Sequence, residues 1–410
     1  MRKLGVVWVL VAAVLFAGCV PSETVSGENS VVSRSEEVGS SEKPDSSAED
    51  TASAQTVDEI LEKMTLREKV GQLFFVRPDA FDQTLTPKQV NHDNKNGVTV
   101  WNEKMTARME DYPAGGVVMF GKNIDTPKQL KTMISSMQQA AKTPLLFCVD
   151  EEGGRVARLA NTAGFDLPTY DSMAAIGATG DPENAYAAGK TIGNYLKEYG
   201  FSVDFAPVAD ANTNPNNRVI GDRAFSNDPQ TVSRMVSAQI DGFHEAGVLT
   251  CIKHFPGHGD TAADTHSGYV AVNKTWEELK ACELIPFAEN FEKTDFVMVA
   301  HITLPLVTDD GLPASLSAQL ITEKLRGELD YSGLVVTDAL SMGAINEAYT
   351  SAQAAVLALQ AGNDVLLMSE DYAAAFDGVV QAVENGTLTE ERIDESVRRI
   401  LEAKKTAGLL

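Results

Sequence analysis

Eight short, nearly continuous apolar runs, each set off from the next by a longer stretch, leave this chain few folds to adopt. They are QLFFV (72–76), GGVVMF (115–120), PLLFCV (144–149), VDFAPVA (203–209), VLTCI (248–252), FVMVA (296–300), GLVVT (333–337) and DVLLM (364–368). Runs of five to seven residues with many β-branched side chains have the pattern of strands buried on both faces. Between most of them lie helix-like segments that open on a capping residue followed by proline: Thr126-Pro127 before 127–142, Asp181-Pro182 before 182–199, Asp228-Pro229 before 229–246. The closing LTEERIDESVRRILEAKKTAGLL is an amphipathic helix with Thr389 as its cap. Eight strands alternating with helices predict an α/β fold, a (β/α)8 TIM-type barrel. A doubly wound sheet competes, but no glycine-rich dinucleotide fingerprint follows the first run. Residues 77–111, which contain NHDNKNG, are expected to form an elaborated loop after the first strand.

The barrel is expected to fill 56–410 as a single catalytic domain, starting near Val57. Residues 20–55 change character: rich in Ser and Glu and net acidic, they cannot bury enough surface to fold and are expected to form a disordered tether. Its random-coil reach is on the order of 35 Å. Residues 1–19 have the pattern of an export signal, with Arg2 and Lys3 ahead of the apolar GVVWVLVAAVLFA. That run closes on LFAGC, which resembles a bacterial lipobox with Cys19 as the lipidated residue, although Phe16 stands where leucine is usual. A plain cleaved signal and an N-terminal anchor helix are the alternatives. The expected location is therefore the outer face of a bacterial cell membrane, with the bilayer as a partner through the lipid. Cys148, Cys251 and Cys282 match no zinc spacing and are expected to be small buried hydrophobes. A net charge of −24 argues against a nucleic-acid partner and against direct adhesion to anionic lipid.

Ionisable residues follow or close five of the runs: Asp150, Glu151 and Glu152, then Asp210, Lys253 with His254, His301, and Asp338. At the carboxyl ends of barrel strands such residues face one rim, and that rim holds the active site. Any one of them could instead cap the next helix, Asp210 most of all. The densest stretch is KHFPGHGDTAADTH (253–266), with three of the six histidines, and it admits three readings. His254, His258, Asp264 and His266 have metal-ligand chemistry, but FPG between the first two histidines breaks the helix that would align them. Asp264 and His266, two apart, could form an acid/base dyad on a glycine-rich mobile loop, with Asp338 as a separate nucleophile. The third reading is a polar loop whose histidines, His258 above all, bond only to structure.

The same stretch is similar to the signature of family 3 glycoside hydrolases, in their β-N-acetylhexosaminidase branch. The resemblance continues through MTLREKVGQLF (64–74), VDEEGGRVARL (149–159), FAPVADANTNPNNRVIGDRAFSNDP (205–229), LVVTDALSMGAI (334–345) and RIDESVRRILEAK. It implies the same barrel, in a single-domain, lipoprotein form. It further implies a retaining exo-β-N-acetylglucosaminidase in which Asp338 is the nucleophile, His266 the proton donor and acceptor, and Asp264 its partner. Asp150, Arg158, Arg223, Lys253 and His254 would bind N-acetylglucosamine, and neither a metal nor another cofactor is implied. Glu151 stands where the family pattern implies Gln or His, a departure that bears on fine specificity and not on the chemistry. The substrates implied are N-acetylglucosamine-containing saccharides such as muropeptide fragments, acted on by a monomer. A β-glucosidase or phosphorylase of the same family, a metal-dependent barrel hydrolase and a noncatalytic sugar-binding lipoprotein remain the alternatives.

Overall fold

All eight runs become strands of one parallel sheet. They are β1 (Phe74–Val76), β2 (Gly116–Met119), β3 (Leu146–Val149), β4 (Val203–Asp204), β5 (Leu249–Phe255), β6 (Phe296–Val299), β7 (Leu334–Thr337) and β8 (Leu366–Leu367). The computed structural model describes residues 55–91, 97–261 and 270–410. The export signal, Cys19 and the tether up to residue 54 lie outside the described residues. Neighbours in the sheet follow chain order from β1 to β7, and β1 pairs on its other edge with β8, Phe74 opposite Leu366. A bridge between Val336 and Val365 joins β7 to β8 and closes the ring. With helices between the strands, this is a (β/α)8 barrel. Every residue of these strands is buried, the burial their unbroken apolar character implied.

Helix starts are set locally. Thr126, Asp181 and Asp228 each accept a first-turn backbone N–H, and proline occupies the first helical position of Pro127–Ala140, Pro182–Tyr199 and Pro229–Glu245. The first and third end slightly short of the expected bounds. Thr389 caps Glu390–Thr406 in the same way. After β1 the elaborated connection holds a turn at Pro78–Phe81 and helices Pro87–Asn91 and Glu103–Asp111.

Two strands differ from their apolar runs in ways that bear on the site. Only Val203 and Asp204 of the 203–209 run join the ladder, since Pro207 has no N–H to donate, and a lone bridge links Val208 to Lys253. β5 runs on through Phe255, so Lys253 and His254 are strand residues rather than a following loop. Asp364, just ahead of β8, is fully buried and held by Arg326 at 2.6 Å, Arg399 at 2.9 Å and the Ser396 hydroxyl at 2.6 Å, tying the last strand to the last helix. Cys148 and Cys251 are buried as expected, and Cys282 is partly exposed.

The last helix also buries Lys404 completely, its Nζ donating to the Gln72 amide oxygen just ahead of β1. Burial pushes its ammonium down from 10.5 to about 7. The unfolded chain therefore holds this proton where the native state does not, and stability should rise with pH between about 7 and 10. We expect chemical denaturation to show that rise in the wild type and a flatter profile in Lys404→Met. At pH 7 the variant should be more stable by on the order of 2 kcal/mol, because no charge is buried.

Candidate active site

The carboxyl ends of the strands surround a cavity of about 360 Å³, within the range of small-ligand sites. Phe205, Val118 and Met298 supply apolar lining. Past β3 the chain forms a small antiparallel ribbon, Glu151–Gly153 against Val156–Ala157, which brings Arg158 back to Asp150, Nη2 to Oδ2 3.3 Å. Alternation along this segment turns Asp150 and Glu152 to the cavity and Glu151 away from it. The Glu151 carboxylate accepts the backbone N–H groups of Arg158, Leu159 and Ala160 and the Tyr195 hydroxyl. Its departure from the family pattern is thus a structural matter: Glu151 anchors the turn that carries Arg158 and does not line the pocket.

β5 supplies the centre of the polar wall. Lys253 Nζ lies 2.8 Å from Asp150 and 2.6 Å from Glu152. Arg223, on the turn Gly221–Arg223, grips Glu152 with both Nε (2.8 Å) and Nη2 (2.7 Å). His254 Nδ1 is 2.7 Å from Asp210 Oδ2. A carboxylate only accepts, so Nδ1 donates, leaving Nε2 as the acceptor 3.4 Å from Arg223 Nη2. Asp210 also accepts the backbone N–H of His258 at 2.6 Å. It is fully buried and caps no helix; it fixes two histidines.

These charges compensate one another. Burial alone would raise the Asp150 and Glu152 carboxyls, but Lys253 with Arg158 holds Asp150 well below the usual range. Arg223 and Lys253 hold Glu152 at about 2. Burial would likewise lower Lys253, and Asp150 and Glu152 outweigh it and raise the ammonium. All of these groups are charged at neutral pH, so the wall offers cationic donors and carboxylate acceptors side by side, the set that grips a ring of hydroxyl groups.

Asp338 stands one residue past β7. Its N–H donates to Val299 O at 2.9 Å and its Oδ1 accepts the Ala339 N–H at 2.7 Å. His301 lies wholly buried behind it: Nε2 is 2.9 Å from Ala339 O and Nδ1 is 2.7 Å from Ser315 Oγ. The strand-end rule placed His301 on the rim; it braces the backbone after Asp338 instead.

Asp338, Asp150, Arg158, Arg223, Lys253 and His254 all line the one cavity. Asp264 and His266 lie outside the described residues. Glu152, Asp210 and His258, named from the sequence but given no catalytic or sugar-binding role there, also build the site, as does Arg77, which was not named at all. Arg77 directly follows the first apolar run, a rim position by the same rule, and its guanidinium stacks 3.8 Å from the centre of the Phe120 ring. Among the described residues no group of three or more His, Cys, Asp or Glu is placed to hold a metal ion.

Asp338 thus faces a wall of paired cations and carboxylates at the carboxyl ends of a barrel's strands, and comparison with known proteins gives this barrel a family. The chain belongs to glycosyl hydrolase family 3: residues 65–403 match that family's N-terminal domain. It is 33% identical over 349 residues to the beta-hexosaminidase A of Pseudoalteromonas piscicida, covering 77% of this chain and 57% of that protein. With the beta-hexosaminidase of Tolumonas auensis it shares 38% over 263 residues, 64% of this chain and 77% of that one. The structure of a family 3 beta-N-acetylglucosaminidase from a Paenibacillus strain superposes with a TM-score of 0.74 at 38% identity, covering 84% of this chain and 63% of that one. The chain thus spans little more than half of the Pseudoalteromonas protein's length.

Proposed function

We propose that this protein is a retaining exo-β-N-acetylglucosaminidase acting on β-1,4-linked peptidoglycan fragments or related glycans. The observation that carries the reading is the placement of Asp338 in the same cavity as the Asp150–Lys253–Glu152–Arg223 wall, which suits one nonreducing-end sugar held over one nucleophile. An Asp338 oxygen attacks the anomeric carbon as the bond to the leaving oxygen breaks, and His266, supported by Asp264, gives that oxygen its proton. Water, deprotonated by His266, then displaces the aspartate from the sugar. An imidazolium acid also tolerates the lactyl carboxylate of a muramic acid leaving group better than a second carboxylate would. Acylation of Cys19 would hold the domain, on its tether, at the outer face of the membrane.

The test is release of 4-nitrophenol from its N-acetyl-β-D-glucosaminide, with EDTA and with inorganic phosphate as variables. Turnover is expected to ignore EDTA and to yield free N-acetylglucosamine in either buffer. Loss in EDTA would indicate a metal-dependent hydrolase, and a sugar phosphate product a phosphorylase. No turnover of this substrate or of muropeptide fragments would sink the reading.

A further inference from the structure

His258 sits between two glycines that the backbone requires. Gly257 has φ +123°, and a Cβ on Gly259 would lie 1.8 Å from Ala211 O. The turn they permit presses the His258 N–H onto Asp210 and leaves the ring lining the cavity, 2% exposed. Around the ring, one hydroxyl fixes the proton. Thr261 Oγ1 lies 2.8 Å from His258 Nδ1, 2.9 Å from His258 O and 3.2 Å from Asn217 Nδ2. The carbonyl can only accept and the amide nitrogen can only donate, and the hydroxyl has one hydrogen. All three contacts are satisfied together only when Thr261 donates to the carbonyl and His258 Nδ1–H donates to Thr261. Burial and the neighbouring His254 hold the ring below its usual value, so it is neutral near pH 7. Nε2 is then a bare lone pair, buried, and among the described residues no partner reaches it.

A buried acceptor without a donor is costly, and a ligand that supplies one recovers that cost. We propose that His258 Nε2 is a substrate-recognition acceptor, receiving a hydrogen bond from an N–H or O–H of the sugar held over Asp338. This rests on the function proposed above, and it adds a fixed acceptor to a wall otherwise made of ion pairs. It also replaces the reading of His258 as a purely structural loop residue: Nδ1 serves structure and Nε2 serves the ligand.

Two measurements test it. Imidazole ¹⁵N NMR of the unliganded full chain should show the His258 signal in the Nδ1-protonated neutral form at pH 7.5. An Nε2-protonated ring overturns the proposal whatever the enzyme's activity. Kinetics then compare wild type, His258→Phe and Thr261→Val on 4-nitrophenyl N-acetyl-β-D-glucosaminide and 4-nitrophenyl β-D-glucoside. His258→Phe should lower kcat/KM about 10- to 100-fold, the range expected for one ligand hydrogen bond. Thr261→Val, which unlocks the tautomer but keeps the ring, should lose less. A loss confined to the acetamido sugar places the donor on the amide N–H; an equal loss on both places it on a shared hydroxyl. If His258→Phe fails to fold, Thr261→Val carries the kinetic arm. A folded His258→Phe with kcat/KM unchanged on both sugars overturns the proposal, and a wild type inert on both refutes the glycosidase reading separately, with the NMR result still deciding the tautomer.

Discussion

Asp338→Asn should lower kcat on the N-acetylglucosaminide by about 10⁴-fold while leaving the fold intact, since removing a covalent nucleophile costs that much in related two-step hydrolyses. The substitution is close to isosteric. The Asn carbonyl can still accept the Ala339 N–H, and the backbone remains braced by Val299 on one side and His301 on the other. The thermal midpoint should therefore move little, and the loss belongs to chemistry rather than to packing. A second variant makes the test positive: Asp338→Gly in sodium azide should regain turnover and release an α-glycosyl azide, the anion attacking from the face the carboxylate vacated. Retention of a tenth or more of wild-type kcat in Asp338→Asn would place the nucleophile elsewhere.

Glu152→Gln is expected to damage both stability and activity. The carboxylate is 1% exposed and neutralises two cations at once, Arg223 through both oxygens and Lys253 through one. A neutral amide leaves Asp150 alone opposite Lys253, Arg223 and Arg158, and a buried pair broken from one side typically costs 3–5 kcal/mol. The acid limb gives an independent check. With its carboxyl at about 2 instead of 4.5, Glu152 contributes stability that is full above pH 4.5 and is lost as pH falls toward 2. That shift corresponds to about 3 kcal/mol. Urea denaturation between pH 6 and 3 should show the decline in the wild type and a shallower one in the variant. We expect kcat/KM to fall about 100-fold, because Lys253 and Arg223, the cations proposed to bind the sugar, lose the group that aims them. Equal stability of the two proteins at pH 7 would show that the wall does not depend on this charge.

The fold was legible because a strand buried on both faces leaves little choice of residue. Runs such as FVMVA and GLVVT announce themselves, and Asp-Pro or Thr-Pro marks the helix starts between them. Where the match faltered the cause was specific: Pro207 interrupts a run that looked like one strand, and Lys253 with His254 continues a strand that looked finished. The lining of the cavity was legible where an ionisable residue follows a strand end, as at Asp150 and Asp338. It was hidden where a role depends on a partner far away in the chain. Nothing local to Glu152 reveals that it faces Arg223, and nothing in VADANTN shows that Asp210 holds one histidine of the next strand and another in the turn after it. Glu151 shows the opposite case: the strand-end rule placed it on the rim with its neighbours, but the ribbon that follows turns it inward onto three backbone amides.

The pairing of Phe74 with Leu366 sets the order in which the barrel can be completed. The first strand and its final neighbour lie near opposite ends of the domain, so the ring cannot shut until almost the whole domain has been made. At 5–20 residues per second, that interval is on the order of tens of seconds during synthesis. Through that time one edge of β1, made of Phe74, Phe75 and Val76, offers unpaired N–H and C=O groups to any other extended chain. The slow, long-range closure that produces a rigid rim also leaves a sticky nascent intermediate. The exposed edge of β1 is therefore the segment expected to aggregate in any chain in which β8 has not yet paired with it.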